Sequence, residues 1–171
     1  MPSARARRWT RWLAVSAAVV AADLAAKAWV SGAFTPGEVL VVTPFFNMVL
    51  MHNTGAAFSF LAGAGGWQRW FFTVVSVAVS AAIVYMLSRP HRDAAVPLGL
   101  ALVLGGALGN LYDRLTLGHV VDFIQLHAAG YYWPAFNLAD SAITVGVAIL
   151  VWESLRPAAR RESPAPQQEK P

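Results

Sequence analysis

Three of the nine acidic residues, Asp113, Asp122 and Asp140, lie within or beside segments apolar enough to sit in lipid, all of them between Gly105 and Ser141. A carboxylate in such a setting is costly and as a rule functional. Asp122 stands among Val120, Val121, Phe123 and Ile124, so desolvation should raise its pKa towards the range where a carboxyl keeps its proton at neutral pH. Asn137 and Asp140 open the last apolar segment at i and i+3. There Asn137 can cap a helix, and the positive end of the helix dipole favours an ionised Asp140. Two carboxyls pushed in opposite directions are what general acid/base hydrolysis needs: one takes a proton from water while the other gives one to a carbonyl oxygen. Asn110, Asp113 and Arg114 share one helix face, where Asp113 beside Arg114 reads most simply as a structural ion pair. On residue chemistry alone Asp113 still rivals Asp122 as the second acid. The bland alternative is that each aspartate only bonds backbone or Arg114 at a membrane interface.

Other chemistries fare worse. The chain has no cysteine, which removes disulfides, thiolate metal sites and a cysteine nucleophile. Its four histidines, His52, His91, His119 and His127, show no metal-ligand spacing, so no metal and no cofactor are expected. His119 and His127 read as surface histidines near lipid headgroups, with nothing nearby to orient either as a base. Ser59 and Ser141 lack an obvious histidine or lysine partner, and the aromatic run Tyr131, Tyr132, Trp133 and Phe136 reads as an interface anchor.

The elements that must position these groups belong to a membrane protein. Of 171 residues, 57% are hydrophobic and only 13% charged, with a mean hydropathy of +0.49, against roughly 25% charged in a soluble domain. Four apolar segments, about 12–30, 70–87, 96–112 and 137–154, are long enough to cross a bilayer. The first, with its basic flank, also has the form of a cleavable signal peptide. It carries Asp23 and Lys27 as an i,i+4 pair. The third is rich in glycine, which permits close helix contacts in lipid. Between the first and second segments, residues 33–66 change character: helix breakers alternate with β-branched and aromatic runs, which suggests a small sheet at the membrane surface. Within it Asn53, Thr54 and Gly55 form a turn signal followed by small residues.

The expected architecture is therefore an α-helical membrane protein with four transmembrane helices and a small β-rich cradle between helices 1 and 2. Residues 1–155 form one domain, and 156–171 a Pro-rich disordered tail. Ten of the thirteen Lys and Arg residues fall before residue 12, at Arg89 and Arg92, or after residue 155. By the positive-inside rule both termini are cytoplasmic, while the cradle and the 113–136 loop face outward. That asymmetry accounts for the net charge of +4 without nucleic acid. A small ion-coupled carrier would place its carboxylates near the bilayer midplane and often shows inverted repeats, neither of which is visible here. A structural assembly subunit would explain the glycines but not the polar residues.

Taken together, DLAAK (Asp23 to Lys27), NTGAAFSF (Asn53 to Phe60), GGALGNLYDR (Gly105 to Arg114), GHVVDF (Gly118 to Phe123) and FNLADS (Phe136 to Ser141), in this order among four apolar segments, closely resemble the lipoprotein signal peptidase (signal peptidase II) family over roughly residues 12–155. One departure is Ala26, where the family commonly has Ser or Thr. The resemblance implies an aspartyl endopeptidase of the bacterial cytoplasmic membrane. It would act at the outer face, cutting prolipoproteins just before a diacylglyceryl-modified cysteine. It places the catalytic pair on Asp122 and Asp140, matches Asn53, Asn110, Arg114 and Asn137 to surrounding polar residues, and matches Asp23 to a supporting position. It also makes the first segment a retained span, and Gly55 to Phe60 a flap over the cleavage site. The implied partners are prolipoproteins and membrane lipids, with no second copy of the chain required.

Overall fold

The computed structural model describes residues 4–55, 66–91 and 93–156. Four helices, α1 (Ala4–Ala33), α2 (Trp67–Leu87), α3 (Ala95–Thr116) and α4 (Leu138–Leu155), each contain a stretch long and apolar enough to cross a membrane. At 1.5 Å per residue, their spans of 18 to 25 residues cover roughly 27 to 38 Å, which matches a hydrocarbon core. Helix α1 begins at Ala4, ahead of the apolar segment that starts at about residue 12, and α3 continues past its apolar segment to Thr116. Outward faces carry exposed Val74, Val77, Tyr85, Val145, Val151 and Trp152, the surface a helix shows to lipid rather than to water.

The central helix is α3, whose buried face includes Gly99, Leu100, Ala101, Leu104, Gly105, Gly106 and Gly109. Its glycines let neighbours come in to backbone distance. A methyl at Gly105 would lie 2.7 Å from Val19 Cβ on α1, and one at Gly99 would lie 2.9 Å from the carbonyl oxygen of Gly146 on α4. A methyl at Gly106 would collide with the carbonyl of Ala139 and with Ile143. Close approach of this kind substitutes for the hydrophobic drive that lipid removes. The Ser16 hydroxyl adds a buried bond of 2.8 Å to the carbonyl oxygen of Ala101. At the end of the bundle where α1 begins and α4 ends, Ile83, Leu87, Leu100 and Leu104 form an apolar cluster with Trp12 and Leu13.

At the other end lies a four-stranded antiparallel sheet in the order β1 (Val39–Thr43), β2 (Phe46–Asn53), β3 (Val120–Ala128) and β4 (Tyr131–Tyr132). Among the described residues, 33–66 thus supply two of its four strands. The rest comes from the segment between α3 and α4, which hydropathy reads as a loop. VVDFIQLHA mixes apolar and polar residues without strict alternation, and it becomes a strand because β2, some seventy residues upstream, offers it an edge. Pairing sets Met51 opposite Asp122 and Asn53 opposite Val120, with a register shift between Met48 and Met51. Val30, Leu50, Val121 and Phe123 knit the sheet to α1, and Ala26, the departure from the family pattern, packs against that cluster. The edge strand β1 leaves Val39, Leu40, Val41 and Val42 exposed, an apolar rim suited to a membrane surface.

Candidate active site

Asp122, Asp140 and Asp113 come from three different elements, and the structure sorts them. Asp122 is carried by β3 and is 2% exposed. Its two oxygens accept from Asn53 Nδ2 of β2 at 2.9 Å and from Asn137 Nδ2 at 2.7 Å. Asp140 lies in the first turn of α4. Its Oδ1 accepts from Asn110 Nδ2 of α3 at 2.8 Å and its Oδ2 from the backbone N–H of Asn137 at 3.2 Å. The Asn137 side chain accepts in turn from the Asp140 N–H at 2.9 Å, completing a capping box. Asn137 therefore caps α4 with its side-chain oxygen, reaches Asp122 with its side-chain nitrogen and holds the Asp140 carboxylate with its backbone N–H, so one fully buried residue sets both carboxylates relative to each other.

Asp113 faces away from this pair. Its partner is Lys27 at 2.9 Å, not Arg114 as the spacing suggests, because the packing of α1 on α3 brings Lys27 to it. The same ammonium lies 2.7 Å from Asp23 and donates to Asn110 Oδ1 at 3.0 Å. Asp113 also accepts from the N–H of Val121 at 3.1 Å, and Asp23 from that of Ala139 at 2.9 Å. Three partners offset the several kcal/mol that it costs to bury a charge. The group fixes the residues beside both Asp122 and Asp140, since Val121 precedes Asp122 and Ala139 precedes Asp140. The i,i+4 spacing gives the pairing of Lys27 with Asp23, and only the packing of α1 on α3 adds Asp113 and Asn110 to it.

Arg114 donates to the carbonyl oxygen of Gly55 at 3.2 Å, and its guanidinium lies 5.5 Å from the centre of the Phe72 ring. The N–H of Gly55 bonds back to Asn53 Oδ1 at 2.9 Å, the turn expected at Asn-Thr-Gly. Residues 56–65, where most of the expected flap falls, and 157–171, all but the first residue of the expected tail, lie outside the described residues. His119 stacks on His52 with ring centres 4.0 Å apart, and burial, ahead of the like charge of His52, holds its pKa below the usual histidine value. His127 stacks on Tyr132 and bonds Asn47 through Nε2 at 3.2 Å.

Electrostatics separate the pair from an ordinary ion pair. Burial raises the Asp122 pKa to about 7, with the charge of Asp140 adding to the rise, while the bonds from Asn53 and Asn137 and the more distant Lys27 pull it down. A carboxyl near 7 can hold or release a proton at physiological pH. Two clefts reach the pair. One of 190 Å³ runs over Asp122 between Met51, Asn53, Tyr132 and Trp133. A larger one of 720 Å³, walled by Phe45, Leu126, Trp133, Phe136 and Val145, opens along α4 beside Asp140. Trp133 stands in both, so the aromatic run does more than mark an interface. Among the described residues no cluster of His, Cys, Asp and Glu could hold a metal ion.

Comparison with known proteins decides the family. Residues 15–156 match the model of Signal peptidase (SPase) II. The chain belongs to the signal peptidase II family. Proteins named lipoprotein signal peptidase from Burkholderia mallei (strain SAVP1) and Paraburkholderia phymatum are 50% and 51% identical to this family member over 145 residues, or 85% of this chain and 87% of theirs. Two solved structures, each a bacterial membrane enzyme obtained by the in meso method, are also similar. The one at 2.3 Å resolution aligns with a TM-score of 0.80 at 29% identity, covering 91% of this chain and 94% of that one. The other, at 1.9 Å, gives 0.72 at 32% identity over 86% and 94%. Signal peptidase II is a protease family, and its membership together with four apolar helices fits a protein of the bacterial inner membrane.

Proposed function

We propose that this protein is an aspartic endopeptidase that removes the signal peptide from diacylglyceryl-modified prolipoproteins, cutting just before the lipidated cysteine, with Asp122 and Asp140 as the catalytic pair. The observation that carries the reading is the bridge at Asn137, which touches both carboxyl groups, joined to an Asp122 poised near neutral pH. With one proton on the pair, the ionised carboxyl takes a proton from a water whose oxygen attacks the scissile carbonyl carbon, and the protonated one gives its proton to the carbonyl oxygen. As the diol collapses the C–N bond breaks, the carboxyl that took the water's proton gives it to the departing amine, and a diol hydroxyl gives its proton to the other carboxylate, so the pair is again singly protonated. The proton belongs to the pair rather than to one member.

The other residues have supporting roles in this proposal. Asn110 and Asn137 hold the carboxyls, Asn53 tunes Asp122, and Arg114 holds the turn at Gly55 against the rim. Asp23, Lys27 and Asp113 form the buried brace behind them. The apolar 720 Å³ cleft, opening along a spanning helix, suits a substrate that resides in the bilayer. The distribution of positive charge supports an orientation with both termini in the cytoplasm and the sheet with its site at the outer face, and the proposal requires no second copy of the chain. The test is cleavage of a diacylated lipobox peptide by the purified protein in lipid nanodiscs. Asp122→Asn and Asp140→Asn should each abolish cleavage while the protein remains folded. Full activity in either variant would refute the pairing.

A further inference from the structure

The last turn of α3 is closed from outside. The final carbonyls of a helix have no partner within it, and a cation there is favoured by the dipole. In α3 the Thr116 hydroxyl donates to Tyr112 O, and the N–H groups of Leu117 and Gly118 both donate to Asp113 O, at 2.7 and 3.2 Å. The next two carbonyls are taken by one side chain from the first turn of α2: Arg69 Nε donates to Arg114 O at 2.7 Å and Arg69 Nη2 to Leu115 O at 3.0 Å. Immediately beyond, Gly118 turns with φ of +82°, and a methyl on it would lie 3.3 Å from Arg69 Nη1. The chain thus reverses around the guanidinium, and β3 begins two residues later. Three positions along α2 from Arg69, Phe72 lies against the Arg114 guanidinium. A single turn of α2 therefore grips the point where α3, bearing Asn110, Asp113 and Arg114, passes into the strand bearing Asp122. Among the described residues Arg69 makes no ion pair with a carboxylate, and its planar fork matches two successive carbonyls in a way that an ammonium cannot.

We propose that Arg69 is a positioning residue for Asp122: by fixing where α3 ends it fixes the start and direction of β3, and so the approach of Asp122 to Asp140, without touching either carboxyl. The proposal rests on the reading of Asp122 and Asp140 as the catalytic pair. A misplacement of about 1 Å in reacting groups costs on the order of a hundredfold in rate, which sets the scale of the effect.

The experiment uses the full chain in lipid nanodiscs with a diacylated lipobox peptide, comparing wild type, Arg69→Gln, Arg69→Lys and Asp122→Asn, with the folded fraction measured by thermal unfolding. Arg69→Gln should lower kcat by about 10- to 100-fold with KM within about threefold of wild type, and Arg69→Lys, which restores the charge but not the fork, should fall between the two. Should the glutamine variant fail to fold, the lysine variant carries the same test, with kcat lowered about tenfold at unchanged KM. A kcat reduced only in proportion to lost folded protein, or a raised KM with kcat unchanged, would overturn the proposal. An inactive Asp122→Asn beside a fully active Arg69→Gln would sink the role of Arg69 alone, whereas a fully active Asp122→Asn would sink the catalytic pair and this proposal with it.

Discussion

Replacing Asn53 by leucine isolates what one hydrogen bond does to the reactivity of Asp122. The amide of Asn53 donates to Asp122 Oδ2 at 2.9 Å, and this bond favours the ionised carboxyl, so it holds the pKa down against burial. The second donor, Asn137 at 2.7 Å, stays in place. A hydrogen bond to a charged group contributes about 1.5 to 3 kcal/mol, and about 1.4 kcal/mol corresponds to one pKa unit. Its loss should therefore raise the Asp122 pKa by about one to two units from its starting value near 7. If the singly protonated pair is the active form, activity falls on the alkaline side as that proton leaves, and a higher pKa delays the fall. The alkaline limb of kcat/KM against pH should move up by about one to two units. The assay is cleavage of a fluorogenic diacylated peptide in nanodiscs from about pH 5 to about pH 10. Because Asn53 also accepts from the N–H of Gly55, a lower plateau is expected as well, so the position of the limb carries the test. A limb that stays in place or moves down in a folded Asn53→Leu protein would refute the electrostatic account of Asp122.

The remaining predictions concern folding. Lys27→Met leaves Asp23 and Asp113 buried beside each other without their shared cation, and should cost about 3 to 5 kcal/mol in unfolding titrations in mixed micelles. Arg156→Met, which breaks a partly exposed pair with Glu153, should cost about 1 kcal/mol or less. Gly106→Ala drives a methyl into the carbonyl of Ala139 and should destabilise by about 1 to 3 kcal/mol, whereas Gly32→Ala, with open space around it in the last turn of α1, should be neutral or stabilise by up to about 1 kcal/mol. Since Asp122 is raised from 3.8 to about 7, the folded protein keeps a proton that the unfolded chain has already released. Its contribution to stability is present at pH below the unfolded value, declines as pH rises through this window, and is level above it. The decline should amount to about 4 kcal/mol at most, read as the pH dependence of wild type minus that of Asp122→Asn.

Much of this molecule is legible in its sequence because lipid simplifies the rules. Four spans follow from hydropathy, and the capping role of Asn137 follows from its place before Leu138 and three residues before Asp140. Asp122 stands out because a lone carboxylate set between valines and a phenylalanine is too costly to keep without a use. The rest depends on contacts remote in sequence. The strand at Val120–Ala128 exists because β2 pairs with it, and its mixed pattern alone favours a loop. Adjacency along the chain points Asp113 to Arg114, while Lys27, eighty-six positions upstream, is the neighbour in space through the packing of α1 on α3. Local spacing identifies which groups are costly to bury, and only the fold says who neutralises them.

The central claim is that Asp122 and Asp140 work as one unit that shares a proton. Infrared difference spectroscopy of the carboxyl stretch, recorded across pH on the full protein, observes that proton directly. The account predicts a protonated-carboxyl band that titrates near pH 7 and titrates at lower pH in Asp140→Asn, where the neighbouring charge that raises Asp122 has been removed. A band whose midpoint is unchanged when Asp140 is replaced, or the absence of any carboxyl titrating in this range, would contradict it.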